Sequence, residues 1–409
     1  MRVTKWQRLI SIFFVGMVAI NAAILWYGRD FIFEGYGDFT AFYSAGKLIQ
    51  KGEASAIYDR EKQWEVQREF AGGVKIRNGP LPYIRPPFEA LIFLPLAHFS
   101  YPTACLIWMA IKLVLLLSVP FLLQPYAVDG PLLAVPYQGV LCLAVGPVVL
   151  DLLQGQDSIL FLFIFAMVLI ALQSAHDFRA GTLLGLGLIK FPIVIPLLLV
   201  MALQRKGKVV LGFLTSALLL VGVSVALVGW RTAIEYPKFL WRVNRTSNFG
   251  VMAPASMPNL RGLITDFSGA RGSWRTESLV VLAMIVGIGF AAIVWRHSDD
   301  ADPRLTNCGF SLAMVIALLT SYYFSGYDVI LLLIPVLVLG NSFLRSPQVG
   351  RWAQILFFAS IAVLMFASLY RIFFFGITRD SWKALVLLAL AATLARAMKT
   401  WRIRKTSAA

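Results

Sequence analysis

Long apolar segments separated by short polar ones run through most of this sequence. The first extends from Leu9 to Tyr27, and the others lie at about 101–123, 131–150, 158–175, 180–203, 209–229, 277–296, 306–321, 327–341, 352–373 and 381–398. A helix needs about 20 apolar residues to cross a hydrocarbon core of about 30 Å. The pattern therefore predicts an all-α polytopic membrane protein in which each of these segments crosses once.

One further apolar stretch, at residues 86–99, is too short to cross a bilayer comfortably, and Pro95 interrupts it. This stretch can be a span, or it can be a re-entrant or interfacial helix. The predicted bundle therefore has eleven or twelve transmembrane helices.

Composition supports the membrane class and leaves little room for a separate domain. Hydrophobic residues make up 59% of the 409 residues, against about 45–50% in soluble domains. Residues 1–409 are expected to form one membrane domain. Its two long loops, at 28–85 and 230–276, are too short to fold independently with a full core.

The formal net charge of +16 does not indicate a nucleic-acid partner. Lys and Arg residues lie at the ends of apolar segments and form no single basic stripe with interleaved aromatic residues. The lipid bilayer and its anionic phosphates are the better explanation. His98, His176 and His297 are scattered, and none has a second ligand at helical spacing, so neither a metal site nor a cofactor is predicted.

Basic loops predict the orientation of the chain. Clusters of Lys and Arg lie at the N-terminus, at 205–208 and at 399–405, which places both termini in the cytoplasm and both long loops on the external face. In the first half of the chain this alternation closes only if 86–99 crosses. If it does not, Asp151, Gln156 and His176 change faces.

Both long loops are rich in charged and aromatic residues and are expected to form short interfacial helices. The loop at 230–276 carries seven basic residues, against the usual bias of external loops. Two explanations stay open. The cations can bind a phosphate-bearing lipid substrate, or they can contact anionic headgroups at about 1 kcal/mol each.

Several short motifs follow one another in a fixed order. They are Asp38-Phe39, Phe42-Tyr43, Ala45-Gly46, Gly52, Tyr58-Asp59, Tyr83, Pro86-Pro87-Phe88, Pro95-Leu96, Gly155-Gln156, Lys190 with Pro192, and Tyr327-Asp328 before Pro335. With these motifs, from about 38 to 335, the chain resembles the bacterial polyprenyl-phosphate-mannose-dependent mannosyltransferases of glycosyltransferase family 87, in the GT-C superfamily. Several relatives place a His before Tyr-Asp where this chain reads Ser321 to Gly326, so the resemblance carries no His-assisted step to this chain.

The resemblance implies a GT-C-like bundle in the inner membrane and a metal-independent transferase. It would move a hexose, expected to be mannose, from a polyprenyl-phosphate donor to a glycan or glycolipid hydroxyl on the external face, with inversion. One carboxylate suffices as general base, which contributes about 10²- to 10⁴-fold. Asp38, just beyond the first apolar segment, is predicted to be this base. The alternative is that Asp38 only N-caps the helix beginning at Phe39.

The leaving lipid phosphate must be neutralised, and four basic residues are candidates to bind it. They are Arg85, Lys190, Arg245 and Arg261. Lys190 stands alone near the middle of the predicted span at 180–203, and a charge inside a membrane segment is by default a functional hypothesis. Its alternatives are snorkelling to a headgroup layer and pairing with a structural carboxylate.

Five polar or aromatic residues are candidates to bind the sugar or the acceptor. They are Tyr43, Tyr83, Gln156, Tyr327 and Asp328. The loop aromatics Tyr43 and Tyr83 suit stacking on a sugar ring. Helix capping competes with substrate binding at Asp328 and at the Gln156-Asp157 pair.

A transporter or flippase of lipid-linked sugars is the alternative function. It predicts inverted repeats and discontinuous helices in matching halves. No internal repeat is visible, and the charged loops are larger than a minimal transporter needs, so the sequence favours the enzyme. A non-catalytic scaffold would tolerate Asp38→Asn, which the enzyme would not.

Overall fold

The computed structural model describes residues 5–74, 79–245, 254–269, 273–296, 302–366 and 380–408. Every regular element within these ranges is a helix. Several of the helices are long and apolar enough to cross a membrane. The prediction of an all-α polytopic membrane protein is confirmed.

The helices follow one another along the chain, and short 3-10 turns join some of them. They are α1 Lys5–Tyr27, α2 Arg29–Phe33, α3 Phe39–Gln50, α4 Arg60–Ala71, α5 Ala90–Phe93, α6 Tyr101–Leu123, α7 Val135–Ala144, α8 Gly146–Gln154, α9 Ser158–Gln173, α10 Asp177–Leu186, α11 Phe191–Leu203, α12 Gly207–Arg245, α13 Leu260–Ser268, α14 Trp274–Arg296, α15 Pro303–Thr320, α16 Leu333–Arg345, α17 Arg351–Met365 and α18 Lys383–Ala408.

Length and composition support fewer spans than the eleven or twelve predicted. Seven helical stretches in the described part of the chain are long and apolar enough to cross, and α7 with α8, bent by 61°, would be an eighth. Three shorter apolar helices lie at Ser11–Tyr27, Ser158–Gln173 and Arg351–Met365. With Asp177–Leu203 counted as one span, the predicted number is reached only if these shorter helices also cross.

The stretch at 86–99 is divided into short turns. They are the 3-10 turns Pro87–Glu89 and Leu96–His98 on either side of α5, which has four residues. At 1.5 Å per residue, α5 extends only about 6 Å. Of the two structures considered for this stretch, the non-spanning one is observed.

The stretch Asp177–Leu203 turns back on itself at Lys190, although its length and composition suit a single span. A straight helix of 27 residues would hold its ends about 40 Å apart. Instead, a Cβ atom at Gly181 would lie 1.9 Å from the carbonyl oxygen of Val209, next to the start of α12. Since α12 begins four residues after Leu203, both ends of the stretch lie together. We conclude that α10 and α11 are the two legs of a helical hairpin.

The residues at the hairpin apex explain the turn. The 3-10 turn Gly187–Lys190 joins the two legs, and Lys190 has non-helical φ and ψ angles of −117° and 56°. Pro192 follows in the first turn of α11. Proline donates no backbone hydrogen bond and its ring crowds the preceding turn, so it suits a new helix start better than a helix interior. The segment predicted at 180–203 as one crossing is therefore two legs.

The hairpin also changes which residues share one end of the bundle. Gln156 Nε2 donates to Asp38 Oδ2 at 2.5 Å, so Gln156 lies at the Asp38 end, as expected if 86–99 does not cross. Gln173, at the far end of α9, donates to the Pro303 carbonyl at 2.7 Å. The hairpin returns Lys190 to the Asp38 end, and this extra pass restores the alternation that a crossing at 86–99 was needed to supply.

Helices α15 and α16 lie at the centre of the bundle. In the 18-residue apolar segments of the stretches that contain α15 and α16, 89% of the segment is buried. The buried share is 28% in the corresponding segments of the stretches that contain α12 and α14. The outer helices therefore present large apolar faces to their surroundings, which suits lipid contact.

The first long loop folds against the second at the Asp38 end. Helices α2, α3 and α4 form the first loop. Beyond Gly229, whose φ of +80° interrupts the helix, α12 continues over that loop. There the Tyr236 hydroxyl donates to the Ile84 carbonyl at 3.2 Å, and Tyr58 stacks on Tyr236. Both loops form short helices, as expected, and together they hold the segment that leads to Arg85.

The close packing of α10 on α12 generates a stability prediction. Gly181→Ala places a methyl group against the backbone of α12, and overpacking of this kind costs about 1–3 kcal/mol. Gly222, also in α12, has nothing within 4 Å of an added Cβ, so Gly222→Ala is the control. We expect a lower unfolding temperature in detergent for Gly181→Ala only. Equal effects of both substitutions would contradict the close approach.

Candidate active site

A tight turn between α8 and α9 presents three consecutive polar residues, Gln156, Asp157 and Ser158. Gly155 ends α8 in the left-handed conformation, with φ of +67°. A Cβ atom there would lie 2.5 Å from Phe39 Cβ. Only glycine allows both the conformation and the approach. The turn therefore lies directly against the start of α3, where Asp38 is located.

Asp38 precedes α3, but its side chain makes no capping hydrogen bond. Its Oδ2 atom accepts from Gln156 instead, at 2.5 Å. Asp59 in the same loop does cap its helix, since its carboxylate accepts from the amides of Glu61 and Lys62. Asp38 thus occupies the position of an N-cap residue, but its carboxylate points to Gln156 and does not cap the helix.

Arg85 lies behind Gln156 and connects it to a carboxylate. Its Nη2 atom donates to Gln156 Oε1 at 3.1 Å and lies 3.3 Å from Asp157 Oδ1. The Tyr58 hydroxyl donates to the Arg85 carbonyl at 2.7 Å. Burial by itself would lower the pKa of Arg85, but nearby carboxylates, Asp157 first among them, outweigh burial and raise it. Arg85 is therefore a permanent cation.

Lys190 occupies the hairpin apex and pairs with two carboxylates. Its Nζ atom lies 2.8 Å from Asp157 Oδ1 and also contacts Asp328 Oδ1. It donates to Ser158 Oγ at 2.5 Å. Of the roles considered for Lys190, carboxylate pairing is observed, and the expected mid-span position is not, because the chain turns there.

Asp328 combines a capping role with the pairing. Its Oδ2 atom accepts from the Ser325 amide at 3.0 Å, within a capping box that begins the turn Gly326–Leu332. Its Oδ1 atom accepts from Ser158 Oγ at 2.7 Å. The capping role considered for Asp328 is observed, and its carboxylate also pairs with Lys190. Binding of sugar or acceptor by Asp328 stays a prediction.

Asp157 is the shared anion of this network. Burial alone would raise its pKa, but Arg85 and Lys190 outweigh burial and lower the pKa to about 2. Asp157 is ionised under all ordinary conditions. One carboxylate oxygen thus bridges Arg85 and Lys190, two of the four candidate phosphate ligands.

The network has a buried side and a more open side. Gln156, Asp157, Lys190 and Asp328 are each at most 4% exposed. Asp38, Arg85 and Tyr327 keep intermediate exposure, and the Tyr327 phenol is near enough to interact electrostatically with Asp38. A carboxylate on the open side, fixed by an amide with a guanidinium behind it, is suited to accept a proton from an incoming hydroxyl.

The remaining candidates lie elsewhere or have other contacts. The Tyr43 hydroxyl donates to the Phe99 carbonyl at 2.8 Å, and burial raises the pKa of Tyr43 to about 12. Tyr83 is fully buried and donates to the Pro86 carbonyl. Arg261 lies over the Tyr322 ring at 3.7 Å and contacts Glu277 at 3.4 Å. The side chain of Arg245 lies outside the described residues.

Two residues of this network, Glu89 and Ser158, were not recognised from sequence. Glu89 lies beside Arg85, with 4.0 Å between Oε2 and Nε, and Ser158 connects Lys190 to Asp328. Glu89 lies within the apolar stretch 86–99, so the criterion that selected Lys190, a charge among apolar residues, would also have found it.

A second buried ion pair supports the turn from behind. Lys112 of α6 and Asp151 of α8 are both fully buried and lie 2.8 Å apart. The other oxygen of Asp151 accepts from the Ser158 amide at 2.8 Å. Trp108 of α6 donates to the Gly155 carbonyl at 3.0 Å. These contacts fix the turn that carries Gln156 and Asp157.

The Lys112–Asp151 pair generates a prediction about stability. Lys112→Met leaves a buried carboxylate without its partner, which costs about 3–5 kcal/mol. Adding Asp151→Asn removes the orphaned charge and keeps an acceptor for the Ser158 amide. We expect the double variant to regain most of the unfolding temperature lost by Lys112→Met. A double variant that is less stable than either single variant would contradict this.

Asp157 generates a prediction about pH. Asp157→Asn leaves two buried cations short of one anion, which lowers stability by about 3–5 kcal/mol at neutral pH. Because folding lowers the pKa of Asp157 from 3.8 to about 2, its contribution is present above pH 3.8 and is lost as the pH falls towards 2. Unfolding temperatures of wild type and variant should converge over that range. A constant difference would contradict the assignment.

One comparison with known proteins identifies the family. The model of glycosyltransferase family 87 matches residues 83–321, which is more than half of the chain and includes Arg85, Gln156, Asp157 and Lys190. No curated protein and no solved structure matches the chain. The family that the sequence motifs resemble is confirmed, and the chain belongs to glycosyltransferase family 87.

Proposed function

We propose that this membrane glycosyltransferase moves a hexose, mannose in the first instance, from a polyprenyl-phosphate donor to a hydroxyl of an envelope glycan or glycolipid. The acceptor hydroxyl loses its proton to Asp38 and forms a bond to the anomeric carbon. The bond between that carbon and the phosphate oxygen breaks with inversion, and polyprenyl phosphate leaves with the bonding electrons.

The observation that carries this proposal is the direction of the Asp38 carboxylate. Asp38 stands at a helix start, where a cap would be expected, but its side chain turns to Gln156 at the open side of the charge network. A general base must lie within hydrogen-bond reach of the proton that it removes. Fixation by Gln156 supplies that positioning before substrate binds.

Arg85 is the cation best placed for the donor phosphate. It is 18% exposed, and its planar guanidinium can bind two phosphate oxygens. Lys190 has two carboxylate partners, so in this proposal it orients Asp157 and Asp328 and contributes to phosphate binding through the summed charge. Arg261 and Arg245 remain candidates for headgroup or phosphate contacts farther along the second loop.

Tyr327 and Gln156 are proposed to contact the sugar or acceptor, since both lie beside Asp38. Asp328 would act through Lys190, whereas Tyr43 and Tyr83 would support the first loop from within.

We further propose that residues 1–409 act as one domain in the inner membrane, with both termini cytoplasmic and Asp38 on the external face. The basic clusters support that orientation.

The test is sugar transfer by Asp38→Asn, with Asp59→Asn as matched control. Membranes with equal amounts of each variant receive a radiolabelled polyprenyl-phosphate-mannose donor and endogenous acceptors. Asp38→Asn removes the base and should lower transfer by about 100-fold or more. Asparagine caps helices as well as aspartate, so Asp59→Asn should retain near-normal transfer.

The other outcomes are also informative. Equal transfer by wild type and Asp38→Asn would exclude Asp38 as the base. Transfer from a different lipid-linked sugar would change the donor and keep the mechanism. Movement of the lipid-linked sugar across the bilayer without any transfer would favour the transporter alternative.

A further inference from the structure

Glu89 is a buried carboxyl group that lies beside Arg85 but makes no hydrogen bond to it. It is fully buried, and among the described residues neither of its oxygens has a hydrogen-bond partner. Asp157 Oδ2 also lacks a hydrogen-bond partner there. Three carboxyl oxygens in one buried region are therefore unsatisfied, although buried polar atoms in proteins are normally hydrogen-bonded.

The two carboxyl groups face each other across one guanidinium. Arg85 Nε lies 4.0 Å from Glu89 Oε2, and Arg85 Nη2 lies 3.3 Å from Asp157 Oδ1. The side chains of Glu89 and Asp157 are near enough to interact by a hydrogen bond. Two carboxylates cannot form such a bond, because both only accept. One proton between them removes the conflict and provides a donor.

Within the part of the chain that the structure describes, no other group around Glu89 supplies the hydrogen bond that this proton would provide. The titratable or charged side chains that face it are Arg85, Asp157, Lys190, Tyr58, Tyr83 and Tyr236. Arg85 and Lys190 are the cations among them, and Asp157 already bridges both. An ionised Glu89 would add a second buried anion beside Asp157, with no hydrogen bond to stabilise it.

We propose that Glu89 is protonated in the working enzyme and donates a hydrogen bond to the Asp157 carboxylate. The charge of Arg85 then stays available to the donor phosphate. Only the part of this inference that concerns the donor phosphate rests on the proposed function. With Glu89 neutral, Arg85 and Lys190 balance Asp157 and Asp328. With Glu89 ionised, a net negative charge would lie beside Arg85 and oppose the approach of a phosphate.

The direction of titration agrees with this arrangement. Burial is the main cause that raises the pKa of Glu89 well above its usual range. This shift favours the protonated form, which is lost as the pH rises through the raised value. In this scheme ionisation of Glu89 weakens donor binding, so the Michaelis constant for the donor increases on the alkaline side.

The Glu89→Gln variant keeps a hydrogen-bond donor at this position and removes the group that can ionise. Glutamine has nearly the same shape, cannot ionise, and still donates a hydrogen bond to Asp157. Transfer at neutral pH should stay within about threefold of wild type, the effect of altering a single hydrogen bond. The alkaline increase in the Michaelis constant should disappear. Asp157→Asn, which leaves two cations unbalanced, is the contrasting variant and should lose most transfer.

Infrared spectroscopy of the purified protein tests the proton without any need for activity. The wild-type spectrum at neutral pH should contain a protonated-carboxyl C=O band that Glu89→Gln lacks. Absence of that difference band would overturn the proposal even if sugar transfer is confirmed. Its presence would support the proton even if the donor proves to be a different lipid.

Three outcomes with the Glu89→Gln variant would also contradict the proposal. Loss of transfer in Glu89→Gln as severe as in Asp157→Asn would mean that Glu89 acts as an anion. Failure of Glu89→Gln to fold would mean the same, because a neutral isostere replaces a neutral group without cost. An unchanged alkaline increase in the Michaelis constant would assign that titration to another residue.

Discussion

The Asp157 carboxylate between Arg85 and Lys190 is the interaction on which the site depends. An isolated charge is too costly in a poorly hydrated interior, so these cations can be buried only with an anion between them. Asp157 Oδ1 lies 3.3 Å from the Arg85 guanidinium and 2.8 Å from the Lys190 amine. This atom thereby joins three distant parts of the chain: the end of the first loop, the turn before α9, and the hairpin apex.

That requirement explains the unusual backbone around it. Lys190 reaches Asp157 because α10 and α11 turn back, and the turn depends on close approach between α10 and α12 at glycine positions such as Gly181. The turn before α9 is fixed from the other side by Lys112, Asp151 and Trp108.

In the proposed mechanism, two tasks fall to different groups. A base meets a polar acceptor, and a cation meets a lipid phosphate. Here Gln156 joins the two, since it donates to Asp38 and accepts from Arg85. A change at the phosphate side can thus reach the base through one amide. Because Gln156 is only 4% exposed, this connection is protected from competing water.

The sequence alone determined the class and the family and selected most residues of the candidate site, because apolar segment length, basic loop clusters and ordered motifs are local properties. Asp38, Arg85, Gln156, Lys190, Tyr327 and Asp328 were all selected in this way, and the structure brings them together. Tertiary structure decided the hairpin at Lys190, the non-spanning path at 86–99 and the pairing of Lys190 with Asp157. Hydropathy measures how apolar a segment is and not where it turns, and the partner of a buried charge is set by contacts between residues far apart in the chain. Glu89 is visible in the sequence as a charge among apolar residues, but its burial and its neighbours exist only in the folded bundle.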